Sequence, residues 1–193
     1  MRLFVAVELD EAVRAEAGRV VELLRRRAES LAPRARLTWV GPERMHLTVR
    51  FIGAADDETL AALQRALEAP LDTPRFTLTV RGVGAFPPTG PPRVVWAGLQ
   101  QGRDHLHALE REITARLSPI GIRPEARPYS PHLTLARVRE PAGLRSAALL
   151  EGVQTHAFGE STIDAITLFE SRLSPQGPTY VALARAALVD RRV

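Results

Sequence analysis

A chain of 193 residues with 45% hydrophobic content and a net charge of +4 has the make-up of an ordinary soluble globule, long enough for one two-lobed domain over residues 1–193. It has no cysteine, which excludes disulfides, thiolate nucleophiles and Cys-ligated zinc. No apolar run approaches the ~18–20 residues of a membrane span, and the short alternating start is unlike a signal peptide, so a cytoplasmic protein with no membrane partner is expected. Every basic residue is arginine, as codon bias in a GC-rich genome would produce; guanidinium groups also bind phosphate in bidentate fashion, so the surface suits phosphate-bearing partners. The charge is too small to argue for a protein that coats nucleic acid.

Residues 2–9 alternate and predict a strand. Asp10 is placed to cap a helix running to about residue 30, with Val13, Ala17, Val20 and Leu24 at helical spacing, Arg25, Arg26 and Arg27 at its solvated end and Pro33 as its stop. A short strand over 37–40 and a Gly41-Pro42 turn lead to a strand over 46–52, closed by Gly53. Asp56, Asp57 and Glu58 open a second helix to about residue 68, where acids favour the helix dipole. Residues 76–80 alternate as a strand, and the Gly and Pro residues crowded between 82 and 92 predict an irregular loop. Then come a strand over 93–99 with Trp96 facing inward, a helix over 103–117, a loop over 120–130 and a strand over 132–138. A short helix over 142–150 and two long strands over 161–173 and 180–188, joined by residues 174–178, complete the chain. The order predicts an α+β fold with largely antiparallel sheets.

One phrase occurs twice, as His46-Leu47-Thr48-Val49 and as His132-Leu133-Thr134-Leu135, 86 positions apart. In a strand the His and the Thr share one face while the aliphatics enter the core behind. Each copy follows a helix and a Pro-containing segment, so the halves resemble a loose duplication whose pseudo-twofold would bring the two strands face to face. Two facing imidazoles can take a proton from water and give one to a leaving oxygen, while the threonine hydroxyls hydrogen-bond non-bridging oxygens. In-line displacement at a phosphodiester needs this set and no metal, and a strained cyclic phosphate is its natural substrate. Arg137 is a candidate phosphate clamp, yet at i+5 it faces away from His132 unless a bulge near Ala136 re-aims it. Arg50 has the parity to share the face of His46 and Thr48 and is a second candidate for the phosphate.

Other constellations are weaker. His105 and His107 point apart on a predicted helix, and His156 is isolated. Glu125, Asp164 and Glu170 form no carboxylate pair, and Gly82-x-Gly84 lacks the helix start of a dinucleotide loop. Trp39 and Trp96 are expected in the core, whereas Tyr129, just ahead of His132, is a candidate to stack on a nucleobase.

The chain resembles the two-histidine phosphoesterase superfamily, and within it the RNA 2′,3′-cyclic phosphodiesterases first described as 2′-5′ RNA ligases. The resemblance rests on RLFVAVEL, WVGPERMHLTVRFIG, RVVWAGL, RPYSPHLTLARV and SRLSPQGPTYVALAR, which stand in the right order over nearly the whole length. It implies a bilobal fold with a central cleft between two antiparallel sheets and helices outside. It implies hydrolysis of 2′,3′-cyclic phosphate at RNA 3′ ends or in nucleotides to a 2′-phosphate, with no metal or other cofactor. His46 would be the general acid and His132 the base, with Thr48 and Thr134 on the phosphate oxygens and Arg137 at a position where relatives carry arginine. Reversible 2′-5′ ligation is the runner-up within enzymes, a non-catalytic binder of RNA ends the alternative outside them, and nothing suggests more than a monomer.

Overall fold

The apolar run Leu3–Val7 is buried along its whole length, so the first strand is covered on both faces. Leu3, Val5 and Val7 enter the main core, while Phe4 and Ala6 join Phe169 and Tyr180 in a small second cluster on the opposite face. The computed structural model describes residues 1–174 and 177–190. It contains β1 (Arg2–Glu8), α1 (Glu11–Leu31), β2 (Arg36–Trp39), β3 (His46–Ala54), α2 (Asp57–Ala66), β4 (Leu71–Pro74), β5 (Phe76–Phe86) and β6 (Val94–Gln101). There follow α3 (Arg103–Leu117), β7 (Leu133–Glu140), α4 (Ser146–Leu150), β8 (Ala157–Ile163), β9 (Ala165–Ser174) and β10 (Gly177–Val189).

The strands form two five-stranded sheets, β3-β1-β9-β10-β4 and β2-β7-β6-β5-β8. Their pairs are antiparallel except β10 with β4. The helices cross over. α1 leaves β1 of the first sheet but packs on β8 and β7 of the second, and α3 leaves β6 of the second sheet but packs on β4 and β3 of the first. α1 buries Val13, Ala17, Val20, Val21, Leu24 and Ala28 on one stripe, each large aliphatic contributing about 1.5–3 kcal/mol by its burial. No described helix is long and apolar enough to cross a membrane.

The α+β pattern of two antiparallel sheets with helices outside is as the sequence predicts, but several local expectations are corrected. The predicted loop after residue 82 is strand as far as Phe86. Gly84 is there for contact rather than for a turn: it pairs with Trp96, and a Cβ on it would lie 2.3 Å from the indole. Trp96 accordingly faces away from the core that Val95 and Ala97 enter, and packs against Phe86 at 5.2 Å between ring centroids. The predicted strand over 161–173 is two strands, parted at Asp164, with β8 in one sheet and β9 in the other. Asp10 stands at the start of α1 without capping it; its carboxylate accepts from the Thr162 amide at 3.3 Å instead. Asp56 does cap α2, accepting from the Thr59 amide at 2.9 Å. The helix expected over 142–150 begins only at Ser146, because Ala142 and Gly143 have positive φ. Of the junction expected over 174–178, Pro175 and Gln176 lie outside the described residues.

The two sheets share a duplicated strand pair. Phe4, Val5, Ala6 and Val7 pair with Phe51, Arg50, Thr48 and Leu47. Val94, Val95, Trp96 and Ala97 pair with Arg137, Ala136, Thr134 and Leu133. β1 thus matches β6 and β3 matches β7 residue for residue, including a register shift at the same place in each.

Candidate active site

In each motif strand the shift lies one residue beyond the threonine, and two consecutive residues face inward: Val49 and Arg50 in β3, Leu135 and Ala136 in β7. Such a bulge reverses the side-chain parity of all that follows. In β7 it returns Arg137 to the face of Thr134, opposite Val94, two residues from the Trp96 partner of that threonine. Arg137 is exposed there. In β3 the same bulge has the opposite consequence for arginine and corrects the parity expected for Arg50. Arg50 is turned under the sheet, 1% exposed, where it pairs with Glu110 of α3 at 3.4 Å and donates to the Arg123 carbonyl. Phe51 takes the place corresponding to Arg137.

The histidines precede their bulges and are held alike. His46 Nδ1 lies 2.9 Å from the Arg44 carbonyl, and His132 Nδ1 lies 2.7 Å from the Ser130 carbonyl. A carbonyl only accepts, so Nδ1 carries the hydrogen in each ring and Nε2 is left with the lone pair of the neutral form. Phe4 stacks on His46 at 4.8 Å and Tyr180 meets it edge-on at 5.0 Å, while Phe86 meets His132 edge-on at 5.5 Å. Burial among these rings pushes His46 down to about 4, and Arg137 presses the same way against the Arg44 carbonyl and the Glu8 carboxylate. His132 is lowered too, by burial first and then by Arg137, with the Ser130 carbonyl opposing. Arg137 also bears on Tyr180. One guanidinium from β7 thus lowers both imidazoles, and β3 and β7 are in contact.

Tyr129, the candidate to stack on a nucleobase, is half-buried and engaged within the protein. Its ring packs edge-on against His107 at 5.4 Å, and its hydroxyl donates to the Thr48 carbonyl at 3.1 Å, with burial raising its pKa. It lines a pocket of about 440 Å³ with Val49 and Arg50, on the inward face of β3, and Glu110 of α3. The loop carrying Tyr129 also takes the Phe51 amide on Glu125 at 3.1 Å and the Arg50 guanidinium on Arg123. It binds the open edge of β3 and leads directly into β7, coupling the two motif strands. The remaining histidines have local partners: His105 stacks on Phe76 at 4.9 Å, and His156 Nε2 lies 2.8 Å from Glu16. Among the described residues no three of His, Asp or Glu gather as a metal-binding set.

Sequence reasoning missed Glu8, Phe4, Phe169, Tyr180 and Phe86, which flank the histidines from other strands. Laying RLFVAVEL over PRVVWAGL would have flagged Glu8, since these segments prove to be the partners of the two motif strands.

The fold that carries the paired motif strands is that of a solved phosphoesterase, with a TM-score of 0.73 and 26% identity over 98% of each chain. The same fold is found in TT0787 of Thermus thermophilus, with a TM-score of 0.74 and 31% identity over 100% of both chains. It is found also in E. coli LigT complexed with 3′-AMP, with a TM-score of 0.73 and 27% identity over 98% of each chain. Residues 10–174 match the 2′-5′ RNA ligase superfamily, and the chain belongs to that superfamily. A protein of Archaeoglobus fulgidus named RNA 2′,3′-cyclic phosphodiesterase is 32% identical over 180 residues, 93% of this chain and 96% of the relative.

Proposed function

We propose that the protein opens 2′,3′-cyclic phosphates at RNA 3′ ends to 2′-phosphates without a metal, with His46 as general acid and His132 as general base. Water attacks phosphorus as His132 Nε2 takes its proton. The P–O3′ bond breaks opposite, and the departing oxygen receives the proton carried by His46 Nε2. Thr48 and Thr134 donate to the non-bridging oxygens, and Arg137 offsets the charge that spreads over them. The observation that carries this reading is the matched pair of histidines, each fixed by a carbonyl two residues back and each followed by a threonine on the same face. The relatives named for this activity support the substrate class.

Mass analysis of an oligonucleotide ending in a 2′,3′-cyclic phosphate tests it: the product gains one water, the 2′ position keeps the phosphate, and EDTA changes nothing. An unchanged mass would leave a binder of RNA ends. The superfamily match favours a second reading, reversible 2′-5′ joining by the same residues run backwards. Oligonucleotides with cyclic-phosphate and 5′-hydroxyl ends would then yield a joined product.

A further inference from the structure

Glu8 and His46 are direct partners across β1 and β3, on the face where Phe4 and Ala6 also lie. In an antiparallel pair this sets their side chains about 5 Å apart at Cβ. The Glu8 carboxylate is tethered: it accepts from Thr167 Oγ1 at 2.9 Å, and Thr167, on β9, is itself 3% exposed. Among the described residues no carboxylate acts on His132 in this way. The position matching Glu8, one residue beyond the Ala97–Leu133 pair, is Gly98. A Cβ there would meet the Arg81 carbonyl at 3.0 Å and the Trp96 ring at 3.2 Å, so the packing resists any side chain. The duplication is broken at the one place where a carboxylate would face the imidazole.

We infer that Glu8 is a positioning residue that favours the protonated form of His46 once an anionic phosphate is bound, and that the lack of a matching group across from His132 is what divides the roles of acid and base between two otherwise equivalent histidines. The inference rests on the reaction proposed above. Among the described residues the groups facing His46 are Glu8 and Phe4 from β1, Phe169 from β9, Tyr180 from β10, Arg137 from β7 and the Arg44 carbonyl, with Thr167 of β9 holding Glu8. Glu8 is the single carboxylate among them. It opposes both the apolar rings and Arg137, which favour the neutral form. When an anionic phosphate enters and offsets Arg137, the carboxylate remains to favour the imidazolium. His132 has no carboxylate pair of this kind across its strand, so nothing there favours its imidazolium in the same way, and it is left to accept a proton from water.

The test is an NMR titration of the histidine rings in the full chain, free and with inorganic phosphate, for wild type, Glu8→Gln and Glu8→Asp. Glu8→Gln is expected to lower the His46 midpoint by about one unit and leave His132 in place, with Glu8→Asp recovering much of the loss. A His46 midpoint unchanged in Glu8→Gln, or an equal shift of both histidines, would overturn the inference. Kinetics on a 2′,3′-cyclic nucleotide give the second readout. Glu8→Gln should lower kcat about tenfold with KM nearly constant and move the His46 limb of the pH profile to lower pH. A fall in kcat with the limb unmoved would assign Glu8 a merely structural role and overturn it. Should wild type fail to turn over cyclic phosphate, the reaction proposed above falls while the ring titration still decides whether Glu8 governs the protonation of His46.

Discussion

The two motif strands carry the same histidine, the same threonine and the same bulge, yet the residues just past the bulge differ in kind. In β7 the bulge swings Arg137 out beside His132; in β3 it swings Arg50 in and presents Phe51. One lobe thus supplies cationic charge to the cleft and the other supplies an apolar wall of Phe4, Phe51, Phe169 and Tyr180 around His46. The lesson is that backbone geometry was duplicated while chemistry was not. An identical kink delivers whatever residue the sequence puts after it, and two identical lobes would give two equivalent histidines with no division of labour.

That comparison can be broken outright by removing either imidazole. His132→Ala and His46→Ala should each reduce kcat on a cyclic nucleotide by ~10²–10⁴-fold, measured by product release. The arginines separate the lobes next. Arg50→Met should lower unfolding stability by about 3 kcal/mol in urea titrations, since it leaves Glu110 beneath β3 without its cation, while kcat stays within a few-fold. Arg137→Ala should do the reverse, raising KM about tenfold with stability nearly unchanged and moving both histidine midpoints upward. Phe51→Ala, at the matching site, should leave those midpoints in place. Tyr129→Phe should cost about 1 kcal/mol of stability through the lost bond to the Thr48 carbonyl, with nucleobase preference unaltered. The least effect concerns pH. His46 is held below its ordinary 6.5, so the unfolded chain takes up its proton first. The stability that depends on His46 staying neutral is whole above 6.5 and lost as pH falls through about 4. His46→Gln should flatten that part of the urea-midpoint profile.

Much of the fold is legible in the sequence because periodicity and punctuation agree. α3 spans 103–117 as its apolar spacing predicts, and the Asp56 cap is where the acid cluster puts it. Both histidines and threonines fall on the faces the alternation assigns. What failed did so for identifiable reasons. Alternation continues across Asp164, so nothing local shows that the chain changes sheets there. The glycines between Val80 and Phe86 look like turn residues until Trp96 is found lying on one of them. A bulge leaves only a weak local trace: Leu135-Ala136 is a pair of adjacent apolar residues, and in Val49-Arg50 the second inward residue is a charge that period-two reasoning sends outward. The bond of Tyr129 is not legible locally, because its partner, the Thr48 carbonyl, lies 81 residues away in sequence.

The placing of β1 between β3 and β9 also has a consequence for how the chain comes to be folded. During synthesis the first strand emerges early, and whatever pairing it makes with β3, its other edge has no native partner until residues 165–174 have left the ribosome. Closing so long a loop is slow and exposes a hydrophobic edge to other chains meanwhile. Leu3, Val5 and Val7 face a core that forms only when α2, α3 and the C-terminal hairpin are all present. His46 therefore has Phe4 beside it early but acquires Phe169 and Tyr180 last, and nascent chains would have one motif strand in place well before the cleft that gives it meaning.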